Sequence, residues 1–107
     1  MPEIAVAKSY EVGGLTFAIK HNTNLIYYEG NHAQTDYRQQ LITIGYSHTP
    51  DGKDEMLWHE LTHAVNHVFL NSKLTEDEVN SMATGQYQIL KQMGIKFTYP
   101  NDTSTVT

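Results

Sequence analysis

His59-Glu60-Leu61-Thr62-His63 is the stretch on which the reading of this chain turns, because it is an HExxH sequence inside a helical pattern. Residues four apart on a helix stand one above the other, so His59 and His63 offer two imidazoles to one point, about 6 Å apart along the axis. Such a pair suits a divalent metal. Glu60, about 100° around the same helix, sits near enough to take a proton from a metal's water without being the nearest ligand. Chance would place HExxH in about 2% of chains of this composition, so the motif carries information. The plain alternative is two histidines on a solvated helix face, and the coincidence of both with the helical period favours metal.

Around the motif, Pro50-Asp51-Gly52 supplies a turn with capping chemistry, and Leu57, Leu61, Ala64, Val65 and Val68 recur as one apolar face roughly opposite His59 and His63. The helix is expected to end at Asn71-Ser72. Thr75-Glu76-Asp77-Glu78 then has the form of a capping box, Thr at the N-cap and Glu at the third helical position, opening a second helix to about Met93. Val79, Met82, Ala83, Leu90 and Met93 form its stripe, and Gly94 is suited to the C-terminal cap.

The first half reads as strands. Ile4 to Tyr10 alternates loosely, Gly13-Gly14 marks a turn, and Leu15, Phe17 and Ile19 alternate as in a half-buried hairpin strand. Leu25 to Tyr28 and Leu41 to Ile44 are further β-prone runs, while Asn31 to Gln40 is polar and unpatterned and is expected to be a loop over a cleft. Ile95 to Tyr99 suits a short terminal strand. The expected fold is therefore α+β: a small antiparallel or mixed sheet of three to four strands, then two antiparallel helices, the first carrying the motif. Residues 1–99 are expected to form a single domain and 100–107 a frayed tail.

The bulk composition narrows the function. Seven basic residues against 12 acidic ones give a formal charge of −5, which argues against binding a phosphate backbone, so no nucleic-acid partner is expected. No cysteine is present, so a bound zinc must be held by histidine and carboxylate. Neither a secretory leader nor a run of about 18 apolar residues is visible, and the expectation is a soluble intracellular protein with no membrane partner.

A catalytic zinc usually takes three protein ligands and keeps one position open. The second helix must fold back alongside the first across a short connection, which brings its first turn near the imidazoles. Glu76 and Glu78 each flank its apolar stripe, Asp77 points away, and geometry alone leaves the first two open. Glu78 also has the plain role of tying off the helix start at Thr75. His67 continues the row of His59 and His63 but lies about 12 Å along the axis from His59, too far for one ion to reach both. It reads as a support or a solvated residue. His21, His32 and His48 read as surface residues.

The run from His59 to Ala64, followed by Leu74 to Ala83, resembles compact zincin-like metallopeptidases. The resemblance is to small phage-type domains and, more distantly, to the ImmA/IrrE group. In that group a Glu-Ala-Asn-x-Phe-Ala-like segment supplies the last zinc ligand; Glu78-Val79-Asn80-Ser81-Met82-Ala83 aligns with it, which assigns that role to Glu78. Val79 and Met82 depart from the usual Ala and Phe. The resemblance covers about the last 45 residues of the domain.

It implies a minimal zincin-like fold and a zinc-dependent metallopeptidase. Zn2+ would be held by His59, His63 and Glu78, Glu60 would act as general base, and a protein or peptide would be the substrate. For a phage-encoded protein it implies the cytoplasm of a bacterial host. It also implies a substrate extended along an edge strand, for which Gln40 to Gly45 is the matching run. Tyr37, Tyr46 and Tyr87 are candidate donors to a developing oxyanion. A weaker similarity extends to SprT-like proteases, whose DNA-linked substrates suit this acidic chain poorly. Two readings compete with the enzyme: a binding module with a closed, structural metal, and an interaction domain in which HExxH is accidental.

Overall fold

The structure is a computed structural model and describes residues 3–21, 33–45 and 50–100. Its architecture is α+β, a mixed sheet followed by two helices. The elements are β1 (Glu3–Ala5), β2 (Ser9–Val12), β3 (Leu15–His21), β4 (Ala33–Asp36), β5 (Leu41–Ile44), α1 (Pro50–Phe69), α2 (Glu76–Gln92) and β6 (Lys96–Thr98). A four-stranded sheet runs in the order β2-β3-β5-β4, and β1 pairs with β6 in a parallel two-stranded sheet.

The β2–β3 hairpin closes through Gly13 and Gly14 at φ 59° and 88°, the pair of left-handed residues that a tight hairpin turn requires. Within β3, Phe17 and Ile19 are buried while Leu15, at the turn, is exposed. β5 lies between β3, parallel to it, and β4, antiparallel to it. Central position explains its apolar run: Ile42 and Ile44 are fully buried, and Thr43 between them is buried on the other face. These residues meet Val6, Leu57 and Ala64 in the core.

Three expectations are corrected here. Ile4 to Tyr10 is not one strand: the chain passes from β1 in one sheet to β2 in the other, with Val6 donating to the Thr98 carbonyl at 2.8 Å. Second, Ala33 to Asp36, in the stretch expected as a loop, is a strand. Third, β5 is not an edge, because β4 covers its outer side and, among the described residues, is itself the edge beside α1. The turn from β4 to β5 is fixed by the Asp36 carboxylate, which accepts from the Gln39 backbone N–H at 3.0 Å, and by Gln40 at φ 53°. The expected strand at Leu25–Tyr28 and the tail 101–107 lie outside the described residues.

α1 and α2 run antiparallel, joined at one end by Tyr87 and Lys91 to Asp51 and in the middle by Trp58 to Gln86. Val79, Ala83 and Tyr87, four apart, are the buried row of α2. Met82 and Met93, expected in that stripe, are exposed, as is Val65 on α1. The capping box at Thr75 is present, and Gly94 at φ 79° closes α2 in a Schellman arrangement, with Gly94 and Ile95 N–H bonding the Lys91 and Leu90 carbonyls.

Candidate metal centre

α1 delivers its two imidazoles as the spacing predicts. The Nε2 atoms of His59 and His63 stand 3.1 Å apart, their rings inclined at 70°. Facing them from the first turn of α2 is Glu76, not Glu78. Its Oε1 lies 3.0 Å from His59 Nε2 and its Oε2 lies 2.9 Å from His63 Nε2. Glu78 is turned the other way. Its Oε1 accepts from the Thr75 N–H at 2.8 Å, while its own N–H donates to the Thr75 hydroxyl at 3.1 Å. The structure therefore corrects the placement of Glu78: its carboxylate is committed to the helix start, and the neighbouring carboxylate two residues earlier meets the histidines.

The connection that sets this register hangs on one side chain. Asn66, buried on α1, accepts from the Leu74 N–H at 3.1 Å and donates to the Leu74 carbonyl at 3.3 Å. Its own carbonyl takes the N–H groups of Leu70 and Ser72, while Asn71 and Ser72 turn the chain at positive φ. With Leu74 held there, the N-cap Thr75 comes one residue later, α2 starts at Glu76, and Glu76 falls opposite His59 and His63. Nothing in the sequence marks Asn66 apart from its neighbours.

Glu60 is buried, and burial pushes its carboxyl above the ordinary range, opposed by the Thr35 hydrogen bond and by the two imidazoles. Thr35, on β4, donates to Glu60 Oε1 at 2.6 Å. The other oxygen, Oε2, stays 4.0 Å from His59 Nε2. Thr35 is a site residue that sequence reasoning misses, since it lies in an unpatterned polar stretch.

His59, Glu60 and His63 keep their ligand atoms within 4.8 Å of one another, a group of the size that holds a cation. Glu76 lies nearer to both imidazoles than Glu60 does, and one Glu60 oxygen is already engaged by Thr35. Glu76 is therefore the better third ligand. Donor atoms around a tetrahedral zinc stand roughly 3.3 Å apart when the bonds are about 2.0–2.1 Å, and each imidazole here has the other imidazole and one Glu76 oxygen near that separation, a different oxygen for each. The donor set, two imidazoles and a carboxylate, is also one that zinc accepts. An all-protein hydrogen-bond network explains the cluster less well: if each Nε2 carries a proton toward Glu76, two donors are left facing each other.

Two cavities flank the pair and share Ala33 and Glu60. One, about 380 Å3, reaches past His59 to Gly52, Glu55, Met56 and Asn80; the other, about 410 Å3, is bordered by Gln34, Thr35, Tyr37, His63 and Glu76. Among the described residues neither is lined by Lys or Arg. Burial, then the Glu60 and Glu76 carboxylates, push the Tyr37 phenol above its ordinary value, so it stays protonated.

The remaining candidates fall elsewhere. His67 is half-buried, stacked on the Tyr37 ring at 4.2 Å, with Nδ1 3.2 Å from the Ser72 hydroxyl. Tyr87 bonds Asp51 away from the imidazoles, and His21 meets the edge of Tyr99. Tyr46, His32 and His48 lie outside the described residues. No described helix is long and apolar enough to cross a membrane. Comparison of the chain with known protein families, curated proteins and solved structures finds no match.

Proposed function

We propose that this chain is a zinc-dependent peptidase of the zincin-like kind, with His59, His63 and Glu76 as metal ligands and Glu60 as general base. The observation that carries the reading is the convergence of three donor groups, with separations of 3.1, 3.0 and 2.9 Å, beside a buried carboxylate held by a neighbouring strand. A protein or peptide segment is the substrate. Among the described residues β4 has no neighbour on its outer side. An extended peptide can add there by main-chain pairing, which supplies affinity with little side-chain selectivity. Such pairing lays a scissile bond across the cavities on either side of Glu60.

Zinc, when bound, supplies Lewis acidity, polarising a carbonyl and lowering the pKa of water. The chain's own groups handle the proton. Glu60 Oε2 takes a proton from water as the water oxygen bonds to the carbonyl carbon and the π pair moves onto the carbonyl oxygen. Glu60 then gives that proton to the amide nitrogen as the C–N bond breaks, leaving a carboxylate and a free amine. Thr35 keeps Oε1 engaged throughout, so that Oε2 is the oxygen turned toward the reacting water.

The test compares wild type with Glu60→Gln on unfolded casein, with zinc content measured in both. Cleavage by wild type and its loss in Glu60→Gln at equal zinc content supports the proposal, because the substitution removes the base and leaves the ligands. Zinc in both with cleavage in neither would instead make this a metal-stabilised binding module.

A further inference from the structure

Resting on the peptidase reading, we infer that Tyr37 is a catalytic residue that donates its phenolic proton in a hydrogen bond to the oxyanion formed on the substrate carbonyl, and that His67 is the platform that holds it there. The two residues explain each other. Tyr37 directly follows β4, and the turn that carries it is tied by the Asp36–Gln39 hydrogen bond and by Gln40 in the left-handed region. Its ring lies nearly parallel to His67, at 16° and 4.2 Å. His67 stands on α1 one turn beyond His63, and its Nδ1 faces the Ser72 hydroxyl at 3.2 Å.

The ring is thus held between the turn after β4 and α1. Tyr37 borders the same cavity as Glu60, His63 and Glu76, whereas Glu55 and Met56 line the other one. A tyrosine in such a place, protonated and locked by stacking, is a preorganised donor whose orientation costs nothing at the moment of reaction. The other two tyrosines considered do not compete: Tyr87 donates to Asp51 at the far end of the helix pair, and Tyr46 lies outside the described residues. His67 therefore serves by packing, out of reach of the metal, and the row of three histidines on α1 divides into two ligands and one support.

Tyr37→Phe keeps the ring on His67 and removes only the hydroxyl. The substrate is a peptide from casein that the wild type cuts. A second probe is a phosphinic pseudodipeptide, in which a tetrahedral phosphinate replaces the scissile amide. Tyr37→Phe is expected to lower kcat on the order of 100-fold with KM little changed. It is also expected to weaken phosphinate binding, measured by calorimetry, on the order of tenfold or more, with zinc content equal to wild type. Wild-type turnover and wild-type phosphinate affinity in Tyr37→Phe, alongside an inactive Glu60→Gln, would overturn the role of Tyr37 and leave the peptidase reading standing. Absence of cleavage by wild type itself would remove both.

Discussion

Replacing Glu76 and Glu78 separately by alanine distinguishes the proposed metal ligand from a helix cap two residues away. The Glu76 carboxylate is largely exposed, at 67%, and its contacts are His59 and His63, so without metal its removal is expected to leave stability nearly unchanged. With free zinc at about 100 times the wild-type Kd, binding stabilises the fold by about 2.7 kcal/mol. Losing an outer partner of a metal ligand already weakens binding by up to about 100-fold, and loss of a ligand itself costs at least that. The variant then retains about 0.4 kcal/mol of zinc stabilisation, a loss of about 2.3 kcal/mol or more, equivalent to roughly 9–18 °C in a domain of this size. Glu78→Ala behaves differently. It removes the acceptor of the Thr75 N–H, which water replaces at this exposed position, and costs about 0.5–1 kcal/mol whether zinc is present or not. Scanning calorimetry with chelator and with zinc, and zinc content by elemental analysis, read both effects. A zinc-dependent rise in Tm that survives Glu76→Ala and disappears in Glu78→Ala would refute the ligand role of Glu76.

Other outcomes follow from single side chains. Asn66→Ala removes two part-buried hydrogen bonds to the Leu74 backbone, each contributing about 0.5–1.5 kcal/mol, so a loss of about 1–3 kcal/mol is expected by urea denaturation, together with weaker zinc binding, because the register that delivers Glu76 loosens. Thr35→Val is expected to lower kcat roughly 10- to 100-fold with zinc retained, and Thr35→Ser to restore it, since only the hydroxyl holds Glu60 Oε1; equal turnover in Val and Ser variants would exclude the role. For pH, burial pushes the Asp54 carboxyl above its ordinary value, against the hydrogen bonds from Tyr99 and the Phe97 backbone. The folded state therefore binds the proton more readily than the unfolded state, and this group's contribution to stability falls as pH rises through the folded pKa. Asp54→Asn cannot titrate, so wild type should gain stability relative to it between pH 7 and pH 4 in paired denaturation curves. A gap that is constant or moves the other way would contradict the buried, raised carboxyl.

The parts of this fold that are legible in the sequence are those whose cause is local. Thr75 and Glu78 complete a capping box within four residues, Gly94 supplies the left-handed residue that ends α2, and His59 and His63 meet because they are one turn apart on one helix. β4 has no such signature. Ala33, Gln34, Thr35 and Asp36 are all half-buried, without alternation, and they form a strand because β5 offers its edge. Thr35 reaches Glu60 only through that pairing, across 25 residues of sequence. Asn66 acts over a shorter range, yet its effect is to set where another helix begins, which no pattern within α1 records.

The third ligand of the proposed metal site shows where local and tertiary causes part. Residues two apart on a helix point about 200° away from each other, so Glu76 and Glu78 cannot both face α1. A capping box is a local demand met at the helix start, and it turns the Glu78 carboxylate back toward the Thr75 N–H whatever the rest of the chain does. Once that demand is met, Glu76 lies on the nearly opposite side of α2, and the antiparallel return of the helix sets it against His59 and His63. Alignment with an ImmA/IrrE-like segment assigns the ligand role to Glu78 because it compares residue types along a line. The cap favours Glu76 for the proposed role because it fixes which way each side chain turns. A metal site built this way has its third ligand oriented by the helix cap beside it, so an intact cap helps to keep the carboxylate in reach of the imidazoles.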